Sequence, residues 1–131
     1  MTAPESVLLD TSVVVEHLRF KNPAITQKLK EPRTLYLPLI ALGELLVGAH
    51  AFAAPNALKQ IEEFSMSCTL LLPDQATSEM YGRLDADLQR KGKNIPTNDL
   101  WIAAMALEHN LPLVARDVHF SYVTGLTVLP W

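Results

Sequence analysis

Three short apolar runs, each closed by an aspartate, limit this chain to few folds: "SVLLD" ends at Asp10, "CTLLLPD" at Asp74 and "LPLVARD" at Asp117. Apolar runs without a polar alternation predict strands buried on both faces. "GLTVLPW" predicts a fourth strand, and "TLYLP" a short extended stretch that ends where Pro38 opens a helix. Helical patterns fill the spaces: "TSVVVEHLRF", "NPAITQKLKEP" closed by Pro32, "IALGELLVGAHAF", "APNALKQIEEFSMS", and "QATSEMYGRLDADLQRKG" stopped near Gly92. The last helix, in "NIPTNDLWIAAMALEHN", has Thr97 or Asn98 as its expected cap. Strands alternating with helices predict a parallel sheet covered on both sides, a three-layer α/β/α domain. At 131 residues, with no repeat or linker, the expectation is a single domain over residues 1–131.

Other classes are excluded by composition. Hydrophobic residues make up 49% of the chain and charged residues 19%, which argues against disorder. The lone Cys68 gives neither a disulfide framework nor a zinc cluster, suits a reducing compartment, and reads as a small buried filler. "MTAPES" lacks the basic start of a leader peptide, so a cytoplasmic protein is expected. The stretch from Leu35 to Pro55 is long enough to cross a bilayer, but Glu44 lies in its middle. A charge there costs about 2.5–3.5 kcal/mol on insertion scales, so no membrane span is expected.

Four carboxylates then stand out. Asp10 and Asp117 end strands, and ligand sites in such sheets form beyond the carboxyl ends of the strands. Asp99 heads a helix in which every residue from Leu100 to Leu107 is apolar. A helix leading into a parallel strand starts at that same edge, so Asp10, Asp99 and Asp117 are expected to share it. Glu44 interrupts "PLIALGELLVGA", with Ile40, Gly43, Val47 and Gly48 beside it on the helix. The two glycines cost helix propensity, roughly 1 kcal/mol each, which close packing against another element would justify. Taken singly, each acid has a plainer reading as a turn former, a helix cap or a solvated side chain. Asp74, heading "DQATSE", reads as a cap. Converging carboxylates repel unless a cation is present, and oxygen-only ligands select Mg²⁺ or Mn²⁺ over zinc.

"LLDTSVVVEHL", "LIALGELLVGA", "IPTNDLWIAAMAL" and "LVARDVHF…GLTVLPW" together resemble the PIN domain, and within it the VapC-type toxins of toxin–antitoxin pairs. The resemblance runs from about Val7 to Trp131 and implies a metal-dependent endoribonuclease of PIN fold, with Mg²⁺ or Mn²⁺ as cofactor and RNA as substrate. Carried onto this chain, the acidic site is Asp10, Glu44, Asp99 and Asp117, with Asp10, Asp99 and Asp117 as first choices for ligands. Glu44 is either a ligand or the acceptor of a proton from the attacking water. Thr11 matches the hydroxyl that follows the first aspartate, and Thr97 is the second supporting hydroxyl. Ala115 departs from the threonine common before the arginine. A cognate antitoxin covering the site and a homodimer formed through helices are also implied. The alternatives are a PIN-fold module that binds RNA or protein without cutting, and a PIN nuclease of RNA processing.

The net charge of −3 fits an RNA partner once the four site acids are set aside, leaving 10 acids against 11 bases. Arg83, Arg90, Lys91 and Lys93 precede the "PTND" helix, and Arg116 and His119 flank Asp117, all candidates for phosphate contacts. The competing readings are a solvated helix end for the first group, an acid partner for Arg116, and capping or packing for His119. Trp101 reads as core. A receiver domain or a dehalogenase-like phosphatase is excluded: "LLDTS" carries no acidic pair and no second aspartate two residues on, and no lysine follows Lys93.

Overall fold

Each apolar run becomes a strand, and each connection is helical because parallel strands need long crossovers. In the computed structural model, which describes residues 4–131, β1 (Ser6–Leu9) leads through α1 (Thr11–Leu18) and α2 (Pro23–Lys28) to β2 (Thr34–Pro38). From there α3 (Leu39–Ala51) and α4 (Pro55–Ser67) lead to β3 (Thr69–Leu71), and α5 (Gln75–Arg90) and α6 (Thr97–Glu108) to β4 (Leu113–Val114). A 3-10 segment, Val118–Tyr122, precedes β5 (Val128–Leu129). Met1 to Ala3, part of the stretch read for a leader, lie outside the described residues.

The sheet order is β3-β2-β1-β4-β5, and all pairings are parallel. Right-handed crossovers therefore put α1 to α4 on one face and α5 with α6 on the other, giving the expected three layers. β1 lies at the centre, with Val7, Leu8 and Leu9 fully buried beside Leu113 and Val114 of β4. The chain moves outward from β1 to β3 on one side, then crosses back to β4 on the other. The β1–β4 crevice is thus where strand order reverses, the position at which such sheets form ligand sites.

Four local expectations are corrected. "TLYLP" is a full strand, paired with β1 through Val7 and Leu35 and with β3 through Leu37 and Leu70. β4 stops at Val114 and does not reach Asp117, because the Asp117 carboxylate accepts the His119 N–H (3.0 Å) and turns the chain into the 3-10 segment. Neither Thr97 nor Asn98 caps α6: Pro96 holds the chain extended at φ −56°, and the helix starts at Thr97 with no side-chain cap. Gly43 and Gly48 are not closely packed, since a Cβ added at either would meet nothing within 4 Å.

Most other readings hold. Asp74 accepts the Thr77 N–H (3.1 Å) while Thr77 Oγ1 accepts the Asp74 N–H (3.0 Å), a reciprocal cap at the start of α5. Trp101, read as core, instead lies half-buried outside the central cluster and stacks on Tyr81, with ring centroids 4.2 Å apart, joining α6 to α5. Burial pushes the Cys68 thiol up to about 11, in keeping with an inert filler. Among the described residues, no helix is long and apolar enough to cross a membrane.

Candidate active site

The site is assembled from four places in the chain. Asp10 directly follows the central strand and is buried, at 5% exposure. Ser12 Oγ donates to Asp10 Oδ2 at 2.8 Å, and Thr11 Oγ1 donates to Glu44 Oε1 at 2.7 Å. These hydroxyls in the first turn of α1 tie the end of β1 to the middle of α3. Asp99, in the first turn of α6, and Asp117, which opens the 3-10 segment, complete the set.

Electrostatics join the four acids into one group. Burial pushes the Asp10 carboxyl up to about 6; the Ser12 hydrogen bond opposes this, and the charges of Asp99 and Glu44 add to it. Asp99 is also raised above its ordinary value, first by burial and then by the charges of Asp117 and Glu44, with the nearby His119 ring working against them. Asp10 and Asp99 thus each feel the charge of Glu44, and Asp99 that of Asp117. Thr11 supports Glu44, whereas Thr97 is exposed and holds none of the acids.

Two contributors were not foreseen in these places. Ser12 is one, and its only sequence signal is a hydroxyl two residues after Asp10. His119 is the other, expected at phosphate or as a cap. Its Nδ1 lies 2.9 Å from Asp117 Oδ1 and 3.5 Å from Asp99 Oδ2. Nδ1 is buried between the two carboxylates, and its attraction holds the Asp99 carboxyl back from a still higher value. One ligand atom each from Asp99, Asp117 and His119 falls within 4.8 Å of the others. The raised carboxyls of the buried Asp10 and half-buried Asp99, the exposed Asp117 and the imidazole nitrogen between the last two together suit a divalent cation.

The basic candidates have partners of their own. Arg83 pairs with Glu79 at 3.1 Å, and Arg90 and Lys91 reach Asp87 at 3.9 and 2.8 Å. Lys91 Nζ also donates to Thr124 Oγ1 at 2.6 Å, and Lys93 Nζ lies 4.8 Å from the centre of the Tyr122 ring. Exposed pairs of this kind are worth about 0–1 kcal/mol, so they do not withhold the cations from a phosphate. Arg116 does not pair with an acid: its Nε donates to the Trp131 main-chain carbonyl at 2.6 Å.

Beside the acids lies an apolar groove of about 420 Å³ between α1, α3 and α4. Val15, Leu18, Leu45, Phe52 and Ile61 line it, and Glu44 borders it. Phe52 is 75% exposed and Phe20 is 62% exposed, and the Arg19 guanidinium lies 6.0 and 5.3 Å from their ring centres.

A raised carboxyl pKa means that the folded protein binds more protons than the unfolded chain between about pH 4 and 6. The metal-free protein is therefore expected to lose stability as pH rises through that window. Asp10→Asn removes a charge that costs up to about 3 kcal/mol at pH 7.5. Thermal melts in EDTA should show this variant more stable than the wild type at pH 7.5, with the gain fading below pH 5. Millimolar Mg²⁺ should raise the wild-type melting temperature and narrow the gap.

Known proteins share this fold. The PIN domain family model matches residues 7–126. Ribonuclease VapC5 of Mycobacterium tuberculosis is 32% identical over 130 residues, covering 95% of this chain and 92% of that protein. VapBC from Salmonella typhimurium, solved bound to DNA, includes a chain that superposes with a TM-score of 0.89 at 25% identity, covering 98% of each. VapBC-1 from nontypeable Haemophilus influenzae gives 0.84 at 27% identity, covering 96% of this chain and 98% of that one. The chain belongs to the PIN domain family and stands with its VapC-type members.

Proposed function

We propose that this protein is the toxin of a toxin–antitoxin pair, an endoribonuclease that hydrolyses RNA phosphodiester bonds at the four-carboxylate site. One arrangement supports the reading: Ser12 and Thr11 hold Asp10 and Glu44 at the end of the central strand, and ligand atoms of Asp99, Asp117 and His119 lie within 4.8 Å of one another. The likeness to ribonuclease VapC5 supports RNA as the substrate.

In this reading Asp10, Asp99 and Asp117 hold Mg²⁺ or Mn²⁺. When bound, the cation neutralises charge on the scissile phosphate and makes water a better nucleophile. The remaining work belongs to the chain. The Ser12 hydroxyl fixes the Asp10 carboxylate, so the first ligand needs little reorganisation. Thr11 occupies Glu44 Oε1 and leaves Oε2 for ligation or for the proton of the attacking water. Lys91 and Lys93, on the segment leading into α6, supply positive charge along the path of the RNA backbone. Arg83, Arg90 and Arg116 extend that path.

The partner reading rests on the groove. Its apolar walls and exposed Phe52 suit an antitoxin segment laid between α1, α3 and α4, close enough to Glu44 to cover the acids. The neighbouring structures are VapBC complexes, and VapBC-5 of Mycobacterium tuberculosis is described as a member of a family of toxin–antitoxin systems. Homodimerisation belongs to the same proposal. Met66, Leu70 and Leu72, exposed beside the β3 edge, are apolar surface left for a second copy.

Two measurements test this. With total RNA and Mg²⁺ or Mn²⁺, the antitoxin-free protein is expected to cleave. EDTA should stop it, and Asp99→Asn should reduce it roughly 10²–10³-fold while remaining folded by circular dichroism. Undiminished cleavage by the variant would remove Asp99 from the machinery, and RNA binding without cleavage would leave a binding module. Separately, Phe52→Glu is expected to weaken cognate antitoxin binding roughly tenfold or more with cleavage intact. Unchanged affinity would move the antitoxin elsewhere.

A further inference from the structure

His119 has a backbone role and a ring, and the two are separable. Its N–H closes the turn on Asp117 Oδ1 at 3.0 Å, which is sufficient for capping. The ring is not needed for that turn, yet it reaches into the acids. Nδ1 lies 2.9 Å from Asp117 Oδ1 and 3.5 Å from Asp99 Oδ2, buried between the two.

In the metal-free protein the ring pairs with these two carboxylates. The spacing also fits another role. The choice of ion falls to the donor type, because for Mg²⁺ and Mn²⁺ alike neighbouring donor atoms that share one octahedral cation lie about 3 Å apart. The Nδ1–Asp117 distance matches this, and the Nδ1–Asp99 distance is half an ångström longer. A ligating Nδ1 needs the ring proton on Nε2.

We propose that His119 Nδ1 is a ligand of the cation held by Asp99 and Asp117, and that it biases this site toward Mn²⁺ over Mg²⁺. The proposal rests on the divalent-cation reading of the acids and adds a donor that the four carboxylates do not supply. Mg²⁺ favours oxygen and keeps its waters, so a nitrogen donor gains it little. Mn²⁺ accepts carboxylate and imidazole together.

Pulsed electron paramagnetic resonance of the Mn²⁺-loaded full chain tests it without any activity assay. The wild type is expected to show ¹⁴N coupling from a directly bound imidazole. His119→Asn, which offers an amide in place of the ring nitrogen, should lose that coupling. Its Mn²⁺ affinity should fall on the order of tenfold, while its Mg²⁺ affinity by calorimetry should change far less. Absence of coupling in the wild type, or failure to bind Mn²⁺, would overturn the proposal. So would a coupling that persists in His119→Asn, since it would come from His17, His50 or His109. RNA cleavage separates the two readings. Coupling without cleavage would sink the nuclease and keep the ligand; cleavage without coupling would do the reverse.

Discussion

Repulsion among carboxylates at the edge of the β1–β4 crevice is the constraint on which the other features of the site depend. Asp10 sits at the end of a strand with no exposed residue from Val7 to Leu9, so its carboxyl cannot escape to water. Asp99 arrives from the far side of the sheet on a helix whose residues 102–106 are buried, and Glu44 arrives on α3. Among the described residues no lysine or arginine pairs with them, and the His119 ring offsets their repulsion only in part. Such a group is unfavourable for an apo protein and favourable for one that binds a divalent ion, which makes binding and stability linked quantities.

The fold positions these charges by simple means. Placing β1 between β2 and β4 brings the carboxyl end of the first strand to the point where strand order reverses. Pro96 starts α6 one residue before a Thr97 cap would, which sets Asp99 in its first turn beside the positive end of the helix. Ala103, Ala104 and Ala106 let that helix approach the sheet closely. Two hydroxyls in one turn of α1 then fix two acids on different elements.

The sequence was most legible where apolar runs and charges coincide. "SVLLD" and the helix of Leu100–Leu107 could be placed because burial demands a continuous apolar pattern, and an acid at the end of one is conspicuous. "TLYLP" was harder to read as a strand, since its proline argues against a ladder position and only its two neighbours reveal the pairing. The end of β4 was hidden because Asp117 turns the chain by a side-chain bond to His119, a contact without periodicity. His119 itself was misjudged for the same reason. The openness around Gly43 and Gly48 depends on what does not pack there, and no pattern within a helix records that.

Manganese anomalous diffraction from crystals grown without antitoxin would test the central claim most directly. The expected result is an anomalous peak bordered by the carboxylates of Asp10, Asp99 and Asp117, absent from crystals of Asp99→Asn. A peak located away from these residues, or none at millimolar Mn²⁺, would contradict a cation-dependent centre at this edge of the sheet.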